Sequence, residues 1–196
     1  MARAQPLFAG APRLPAEECV TLRPIRPRDA GALQAYIRGL SSESRYNRFF
    51  GALNELPPAE LYRVTHLDRK YELALLAETQ FNGGSIVIAE ARYACSLDRL
   101  ECEYALSVAD DWHDKGLGML LVTNLEGRAR SIGARYLSAD VLRSNEPMKA
   151  LAHKTGFLMT DVPLDAKLVR IVKDLALSQG AGPPPVVTTS NLPIAA

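Results

Sequence analysis

Apolar residues recur along this chain with a period of two in some stretches and close to 3.6 in others. The alternation from Cys19 to Ile25 predicts a strand, and the spacing after Pro27 predicts a helix through Leu40. The polar segment Ser41 to Gly51 can form a short helix, and Pro57-Pro58 begins a further helix. The chain thus opens with one strand followed by helices.

The middle of the chain is rich in strand-forming residues. Glu72 to Glu78 and Ser85 to Cys95 flank Phe81-Asn82-Gly83-Gly84, whose glycines can take the positive φ of a tight turn. Leu100 to Val108 alternates again after a second turn. These segments predict a three-stranded antiparallel meander.

The last third predicts a crossover and a closing unit. Helical spacing from Gly116 to Ile132 stops at Gly133, and the strand Arg135 to Leu142 follows. One helix and two strands close the chain: Asn145 to Lys154, Phe157 to Val162 and Lys167 to Val172. The order of elements is that of a mixed α+β domain.

Both ends of the chain lack this periodicity. Three prolines interrupt the start, and Gly180-Ala181-Gly182-Pro183-Pro184-Pro185 cannot form a helix. We expect a flexible arm over residues 1–18, one folded domain over 19–177 and a disordered tail over 178–196.

Composition and charge exclude several partners. The chain has 196 residues, 47% of them hydrophobic, and its 23 Lys and Arg against 22 Asp and Glu give a net charge of +1. That charge is too small to hold a nucleic acid or an anionic membrane surface, so neither is expected as a partner. No apolar run approaches the ~18 residues of a membrane span, and no signal-peptide core is visible. We expect a cytoplasmic protein.

The cysteines indicate neither a metal site nor a disulfide framework. Cys19, Cys95 and Cys102 are odd in number and lack paired CxxC spacing. We expect reduced thiols and no bound metal. Cys95 and Cys102 could nevertheless face each other across a hairpin and pair under oxidation.

Two glycines mark a candidate anion site. Gly116-Leu117-Gly118 lies between a predicted strand and a predicted helix, where free backbone N–H groups and the positive end of the helix dipole favour a pyrophosphate. Tight packing of the helix would explain the glycines equally well. A dinucleotide fingerprint needs a third glycine or alanine where Leu121 stands, so NAD is not expected.

Two segments in this order resemble the signatures of the GNAT acetyltransferase superfamily. His113-Asp114-Lys115-Gly116-Leu117-Gly118 is similar to the family's pyrophosphate motif, and the stretch from Asn145 to Gly156-Phe157 is similar to its second signature. The resemblance covers about Cys19 to Lys173. It implies an α+β GNAT fold: a mixed central sheet of about six or seven strands, with an antiparallel meander and a splayed parallel pair, flanked by about four helices.

Three segments resemble the catalytic domain of bacterial Pat-type protein lysine acetyltransferases: Glu103 to Trp112, Arg48 to Gly51 and Asn145 to Met148. The resemblance implies acetyl-CoA as the acyl donor and a protein lysine as the acceptor. Three residues depart from the wider family pattern. His113 stands where Gln or Arg is usual, Asp114 where Gly is frequent, and Ala152 where many relatives carry a tyrosine proton donor.

The resemblance implies Glu103 as the general base that deprotonates the amine, and Glu101 on the same face is the alternate base. Either carboxylate could instead face solvent or pair with an arginine. The implied cofactor-binding residues offer backbone groups, apart from the side chain of Asn145, which could also simply cap its helix: Leu106, Val108, Lys115, Gly116, Leu117, Gly118, Met119 and Asn145.

Several residues near these motifs have alternative roles. Trp112 and His113 invite a ligand-binding interpretation but are more typical of packing. Tyr46, Phe49 and Phe50 could line an acceptor entrance or belong to the core. A small-molecule amine acetyltransferase and a catalytically weak CoA-sensing or interaction module are the alternative functions. A monomer and a dimer are equally compatible with the sequence.

Overall fold

The computed structural model describes residues 20–81, 83–98, 100–163 and 165–176. Within these ranges the strands are β1 (Val20–Pro24), β2 (Glu72–Phe81), β3 (Gly84–Cys95), β4 (Glu101–Val108), β5 (Tyr136–Leu142), β6 (Leu158–Asp161) and β7 (Leu168–Asp174). The helices are α1 (Ala30–Gly39), α2 (Ser42–Phe49), α3 (Pro58–Thr65), α4 (Leu117–Ser131) and α5 (Glu146–Lys154). The predicted arm, Cys19 and the predicted tail lie outside the described residues.

All seven strands form one sheet in the order β1-β2-β3-β4-β5-β7-β6. This confirms the predicted α+β architecture, with its antiparallel meander and one parallel pair. The number of helices was predicted as about four, and the described ranges contain five. The backbone becomes extended at Leu40, which ends α1. The Ser41 hydroxyl then accepts a hydrogen bond from the Ser44 amide and caps α2, which is therefore a separate helix.

The parallel pair β4–β5 is joined at only one end. Glu101 to Glu103 pair with Tyr136 to Ser138, and β4 then continues to Val108 without a partner on this side. On its other side β4 stays paired with β3 as far as Val108. The two strands therefore separate into a V-shaped gap in the middle of the sheet.

Each face of the sheet carries its own apolar core. On one face α4 and α5 pack on the strands through Leu117, Leu121, Leu125 and Ala152, together with Phe157. On the other face α1 and α3 pack through Leu33, Ile37 and Val64 against Ala74 and Leu76 of β2. The gap between β4 and β5 therefore connects two helical layers.

Cys95 and Cys102 face each other across the β3–β4 pair and are joined by a disulfide. The expectation of reduced thiols is wrong for these two residues, while their predicted opposition across the hairpin is confirmed. Cys102 is fully buried, and its neighbours along β4 are Glu101 and Glu103. The bond thus fixes the β3–β4 register at the closed end of the gap.

None of the helices in the described ranges is long and apolar enough to cross a bilayer. In the same ranges, no group of three or more His, Cys, Asp and Glu side chains is arranged to hold a metal ion.

Candidate active site

A cleft of about 880 Å³ follows the gap between β4 and β5 and reaches both helical layers. Its "α4 half" is lined by Trp112, Gly116, Leu117, Gly118, Met119, Asn145, Met148 and Leu151. Its "α2 half" is lined by Glu43, Arg48, Phe50, Arg63, Glu72 and Arg92. Glu103, Leu106 and Val108 of β4 also line the cleft and lie between the two halves. The one cleft thus joins most of the residues that the sequence singled out.

The start of α4 is open to a ligand. Gly116 is the N-cap residue and has φ 84°, a left-handed conformation that favours glycine. Gly116 has no side chain that could cap the helix, so it provides no hydrogen-bond acceptor for the N–H groups of the first turn. Leu117, Gly118 and Met119 supply those groups and line the cleft. The arrangement suits an anion such as a pyrophosphate.

The second glycine of the motif has a packing role. A Cβ built on Gly118 would lie 3.0 Å from Cδ2 of Leu151 on α5, which is tighter than ordinary van der Waals contact. Gly118 therefore allows α4 and α5 to approach closely. Of the two interpretations open from sequence, anion binding fits Gly116 and close packing fits Gly118.

The side chains of the turn before α4 make contacts within the protein. Lys115 lies outside the cleft lining, and its ammonium is 4.6 Å from the centre of the Trp112 ring, a cation–π contact. His113 Nε2 is 3.0 Å from the carbonyl oxygen of Val108. Trp112 packs partly buried against the core beneath α4. Both residues thus have contacts within the protein, and both also line the cleft.

Asp114 is one of two non-glycine residues with positive φ in the described ranges, at φ 58°. This conformation is uncommon for residues other than glycine, although Asp and Asn adopt it more readily than most. The Asp114 side chain is exposed and the residue lines the cleft. A negative charge thus stands at the site that otherwise suits an anion.

Asn145 caps α5 and also lines the cleft. Its Oδ1 atom accepts a hydrogen bond of 3.1 Å from the Met148 amide. The NH₂ group of the same side chain has no hydrogen-bond partner among the described residues. Capping is therefore present, and the amide N–H groups remain able to donate into the cleft.

The open side of β4 is the candidate position for an extended ligand. Leu106 and Val108 face Ala91 and Ala89 of β3, and no strand covers their other side. The Val108 carbonyl is in contact with His113, while the remaining backbone groups on this side lie along the gap. An elongated polar chain could pair with them as a further strand would.

Glu101 and Glu103 differ sharply in their surroundings. Glu101 accepts a hydrogen bond from the buried Ser138 hydroxyl and lies 3.9 Å from Arg170 Nη1. Glu103 is exposed, lines the cleft, and forms no hydrogen bond with the described residues, while its charge interacts with that of Arg170 at longer range. Glu103 is therefore the one of the two carboxylates that faces the cleft without a hydrogen-bonded partner in the described ranges. Glu101, the predicted alternate base, is held by two partners.

The floor of the α2 half is strongly charged, which sequence reasoning missed. Glu90 and Arg92 of β3 project toward α2 and α3, where Arg48 is 3.1 Å from Glu90 and Arg92 is 3.4 Å from Glu60. The Arg48 and Glu90 side chains are only 6% and 7% exposed. The available signal was the alternation of Glu90 and Arg92 with apolar residues in a strand.

Helix α2 is fastened to the turn that precedes α4. Asp110 accepts hydrogen bonds from the Ser41 hydroxyl at 2.6 Å, the Ser41 amide at 2.9 Å and the Ser44 hydroxyl at 2.8 Å. Burial alone would raise the pKa of Asp110, but these hydrogen bonds outweigh it and hold the pKa at about 2. The two halves of the cleft are thus joined through one carboxylate.

The aromatic residues near the end of α2 could line the acceptor entrance or belong to the core, and the structure shows both kinds of position. Phe49 packs against the core formed with α1 and α3. Phe50 lines the cleft and is 45% exposed, and Tyr46 is also exposed. Phe50 is therefore the member of this run placed at the cleft.

Comparison with known proteins gives consistent matches. The family model described as "Acetyltransferase (GNAT) family" matches residues 60–157. Acetyltransferase PA5475 of Pseudomonas aeruginosa is 30% identical over 158 residues, which is 81% of this chain and 84% of the relative.

Solved structures show the same fold. The GNAT domain of S. lividans PAT is 28% identical, with a TM-score of 0.72 over 79% of this chain and 90% of that one. The structure of yncA from Salmonella typhimurium, which holds its cofactor acetyl-CoA, is 21% identical. It has a TM-score of 0.61 over 84% of this chain and 97% of that one.

Proposed function

The chain belongs to the acetyltransferase (GNAT) family, whose acyl donor is acetyl-CoA, and we propose that it acetylates lysine side chains of proteins with Glu103 as general base. The observation that carries the proposal is the cleft that joins an uncapped helix start at Gly116 to the exposed carboxylate of Glu103. The choice of a protein acceptor is supported by the three segments that resemble Pat-type protein lysine acetyltransferases, together with the similarity to the GNAT domain of S. lividans PAT.

The residues of the α4 half fit acetyl-CoA. The amides after Gly116 face the cleft and suit the pyrophosphate, and the Asn145 amide can donate to the pantetheine arm. The free side of β4 at Leu106 and Val108 then holds that arm along the gap. Acetyl-CoA supplies an activated acetyl group, and these contacts would place it beside the strand that carries Glu103.

The acceptor reaches the same point from the α2 half. A lysine amine has a pKa near ~10.4, so it arrives protonated at neutral pH and cannot attack. Glu103, directly or through a water molecule, removes one proton from the ammonium. The amine nitrogen then bonds to the acetyl carbon as the carbon–sulfur bond breaks, and the nitrogen loses its second proton to solvent, which leaves a neutral amide.

The leaving group needs little assistance from the protein. A thiol has a pKa near ~8.5, so a thiolate is a tolerable leaving group close to neutral pH. Ala152 is fully buried and has no proton to give. In this mechanism the sulfur takes its proton from solvent, and the proton held by Glu103 is returned to solvent.

A thiol-release assay at saturating acetyl-CoA tests the proposal. The acceptors are end-blocked peptides with a single lysine, a folded lysine-rich protein, and small amines such as spermidine. Acetylation of the peptides or the protein, mapped to lysine by mass spectrometry, is the expected result. Rapid turnover of small amines alone would contradict the proposed protein acceptor and indicate a small-molecule acetyltransferase. CoA binding without any turnover would indicate a sensor.

Asp114 gives a separate prediction about the donor site. Its charge at about 8 Å from a phosphate costs roughly 0.5 kcal/mol in water-like dielectric, so Asp114→Asn is expected to tighten CoA binding about two- to threefold. Asparagine also tolerates positive φ, so this variant removes the charge and keeps the backbone. Calorimetric titration with CoA at low and high salt measures the effect, which salt should reduce.

Asp111→Asn is the matched control for Asp114. Asp111 is also exposed, three residues earlier, but it is not part of the cleft lining. Its neutralisation should leave the CoA affinity unchanged within error. Equal effects of the two substitutions would mean that the gain is one of overall charge and not of position.

A further inference from the structure

Three arginines line the α2 half of the cleft, and two of them are neutralised at short range. Arg48 lies 3.1 Å from Glu90. Arg63 lies 2.9 Å from Glu60 and 3.3 Å from Glu72. The charges of Arg48 and Arg63 are therefore balanced by ion pairs within the protein.

Arg92 is paired more loosely than the other two. Its Nη1 atom is 3.4 Å from Glu60, and its Nε atom is 3.6 Å from Glu90. Both carboxylates already serve another arginine at shorter distance. A guanidinium has five N–H donors, and only one hydrogen bond, to Glu60, is formed by Arg92 within the described ranges. Most of its donor capacity is unused.

The position of Arg92 leaves its remaining donors within reach of a ligand in the cleft. The side chain is 19% exposed and lies on the floor of the cleft. Burial lowers the pKa of its guanidinium. A bound carboxylate could accept hydrogen bonds from these donors, and guanidinium groups bind carboxylates through two parallel hydrogen bonds.

Arg92 also lies close to the proposed base. It faces Ala105 across the β3–β4 pair, while Glu103 faces Ala94, so the two charged residues are diagonal neighbours on one face. Such neighbours have Cα atoms about 7–8 Å apart. An amine at Glu103 would therefore leave a second group of the same acceptor within reach of Arg92.

We propose that Arg92 is a specificity-determining residue that binds a carboxylate of the acceptor, so that lysines with an adjacent Asp or Glu are preferred. This inference rests on the proposed protein-lysine activity. A free amino acid could present the same carboxylate beside its amine, and the test below separates the two sources. Arg92 contacts the acceptor outside the reacting atoms and takes no part in proton transfer.

The test compares acceptors that differ only in one charge. End-blocked peptides with a single lysine carry either Glu or Gln next to it, and free lysine is compared with cadaverine, its analogue without a carboxylate. Wild-type kcat/KM should be about 10- to 100-fold higher for the Glu peptide, the range expected for a hydrogen bond to a charged group. The difference should lie mainly in KM, because the contact is made before and during the reaction alike.

The Arg92→Gln variant should abolish this preference. The readout is the ratio of kcat/KM for the Glu peptide to kcat/KM for the Gln peptide within the variant, which should fall to within about twofold of one, because only the Glu peptide carries the anionic group that Arg92 is proposed to bind. Arg38→Gln is the control: Arg38 pairs with Glu55 and lies outside the cleft lining, so the preference for Glu should persist. Arg92→Lys keeps the charge but loses the two parallel N–H donors of the guanidinium, so it should retain a smaller preference. It is the replacement variant if the glutamine variant does not fold.

The outcomes separate this inference from the proposed function. Equal wild-type activity on the Glu and Gln peptides, or a preference that survives Arg92→Gln, would overturn the role of Arg92. If no peptide reacts but free lysine is preferred over cadaverine in an Arg92-dependent way, the carboxylate site stands and the protein-lysine proposal fails.

Discussion

Replacing Glu103 by glutamine is expected to lower kcat by about 10²–10⁴-fold, the contribution typical of a positioned general base. Glutamine keeps the size and hydrogen-bonding reach of the side chain but cannot take a proton from the ammonium. The proposed cofactor contacts lie at the start of α4 and at Leu106 and Val108 of β4, so the Kd for CoA should stay within about twofold of wild type. Steady-state kinetics and calorimetric titration measure the two quantities separately.

Glu101→Gln is the matched control, since it makes the same chemical change two residues away on the same face of β4. Glu101 is held by Ser138 and lies near Arg170, and glutamine can still accept the Ser138 hydrogen bond. Its kcat should fall by no more than about threefold, because a carboxylate with two partners is poorly placed to accept a further proton. A large loss in Glu101→Gln with near-normal activity in Glu103→Gln would exchange the two roles.

Local signals were sufficient for most of the fold. Gly133 and Gly156, predicted to stop two helices, both take positive φ directly after α4 and α5. The crossover from β4 through α4 to β5 follows from changes in period that are visible along the chain. The break between α1 and α2 was less clear, because Ser41 could equally cap a new helix or lie in a polar turn.

The charged floor of the α2 half depends on contacts that no local pattern specifies. Arg92 and Glu60 are 32 positions apart, and Arg48 and Glu90 are 42 apart. The β2–β3 register also shifts between Ala77 and Glu78, so simple alternation misassigns the faces of β3 around Ile88. Each residue alone resembles an ordinary surface charge, and only the folded sheet brings them under α2 and α3.

The glycine motif shows a similar limit. The sequence pattern predicts one shared role for Gly116 and Gly118, either phosphate binding or tight helix packing, whereas the structure places a different constraint on each. Gly116 is required by its backbone conformation at the helix start, and Gly118 by the approach of Leu151 on a helix that begins 28 residues later. The contact partner of Gly118 could not be known before the packing of α4 on α5 was seen.

Substituting valine for Gly116 is expected to weaken CoA binding by about 100-fold or more. Gly116 has φ 84°, so any side chain strains the turn, and valine also places methyl groups where a pyrophosphate would approach the amides. Loss of two hydrogen bonds to a charged group, at about 1.5 kcal/mol each, corresponds to that factor. Calorimetric titration with CoA measures the affinity, and thermal unfolding measures the cost in stability.

Gly133→Val separates strain from ligand binding. Gly133 follows the other end of the same helix with φ 87°, and a Cβ there meets nothing within 4 Å. The two variants should therefore lose similar stability, while only Gly116→Val loses CoA affinity and Gly133→Val binds within about twofold of wild type. A Gly116→Val protein that binds CoA normally would show that the amides opening α4 do not hold the pyrophosphate. The donor would then have to be held elsewhere in the cleft, and the placement of its acetyl group beside Glu103 would lose its support.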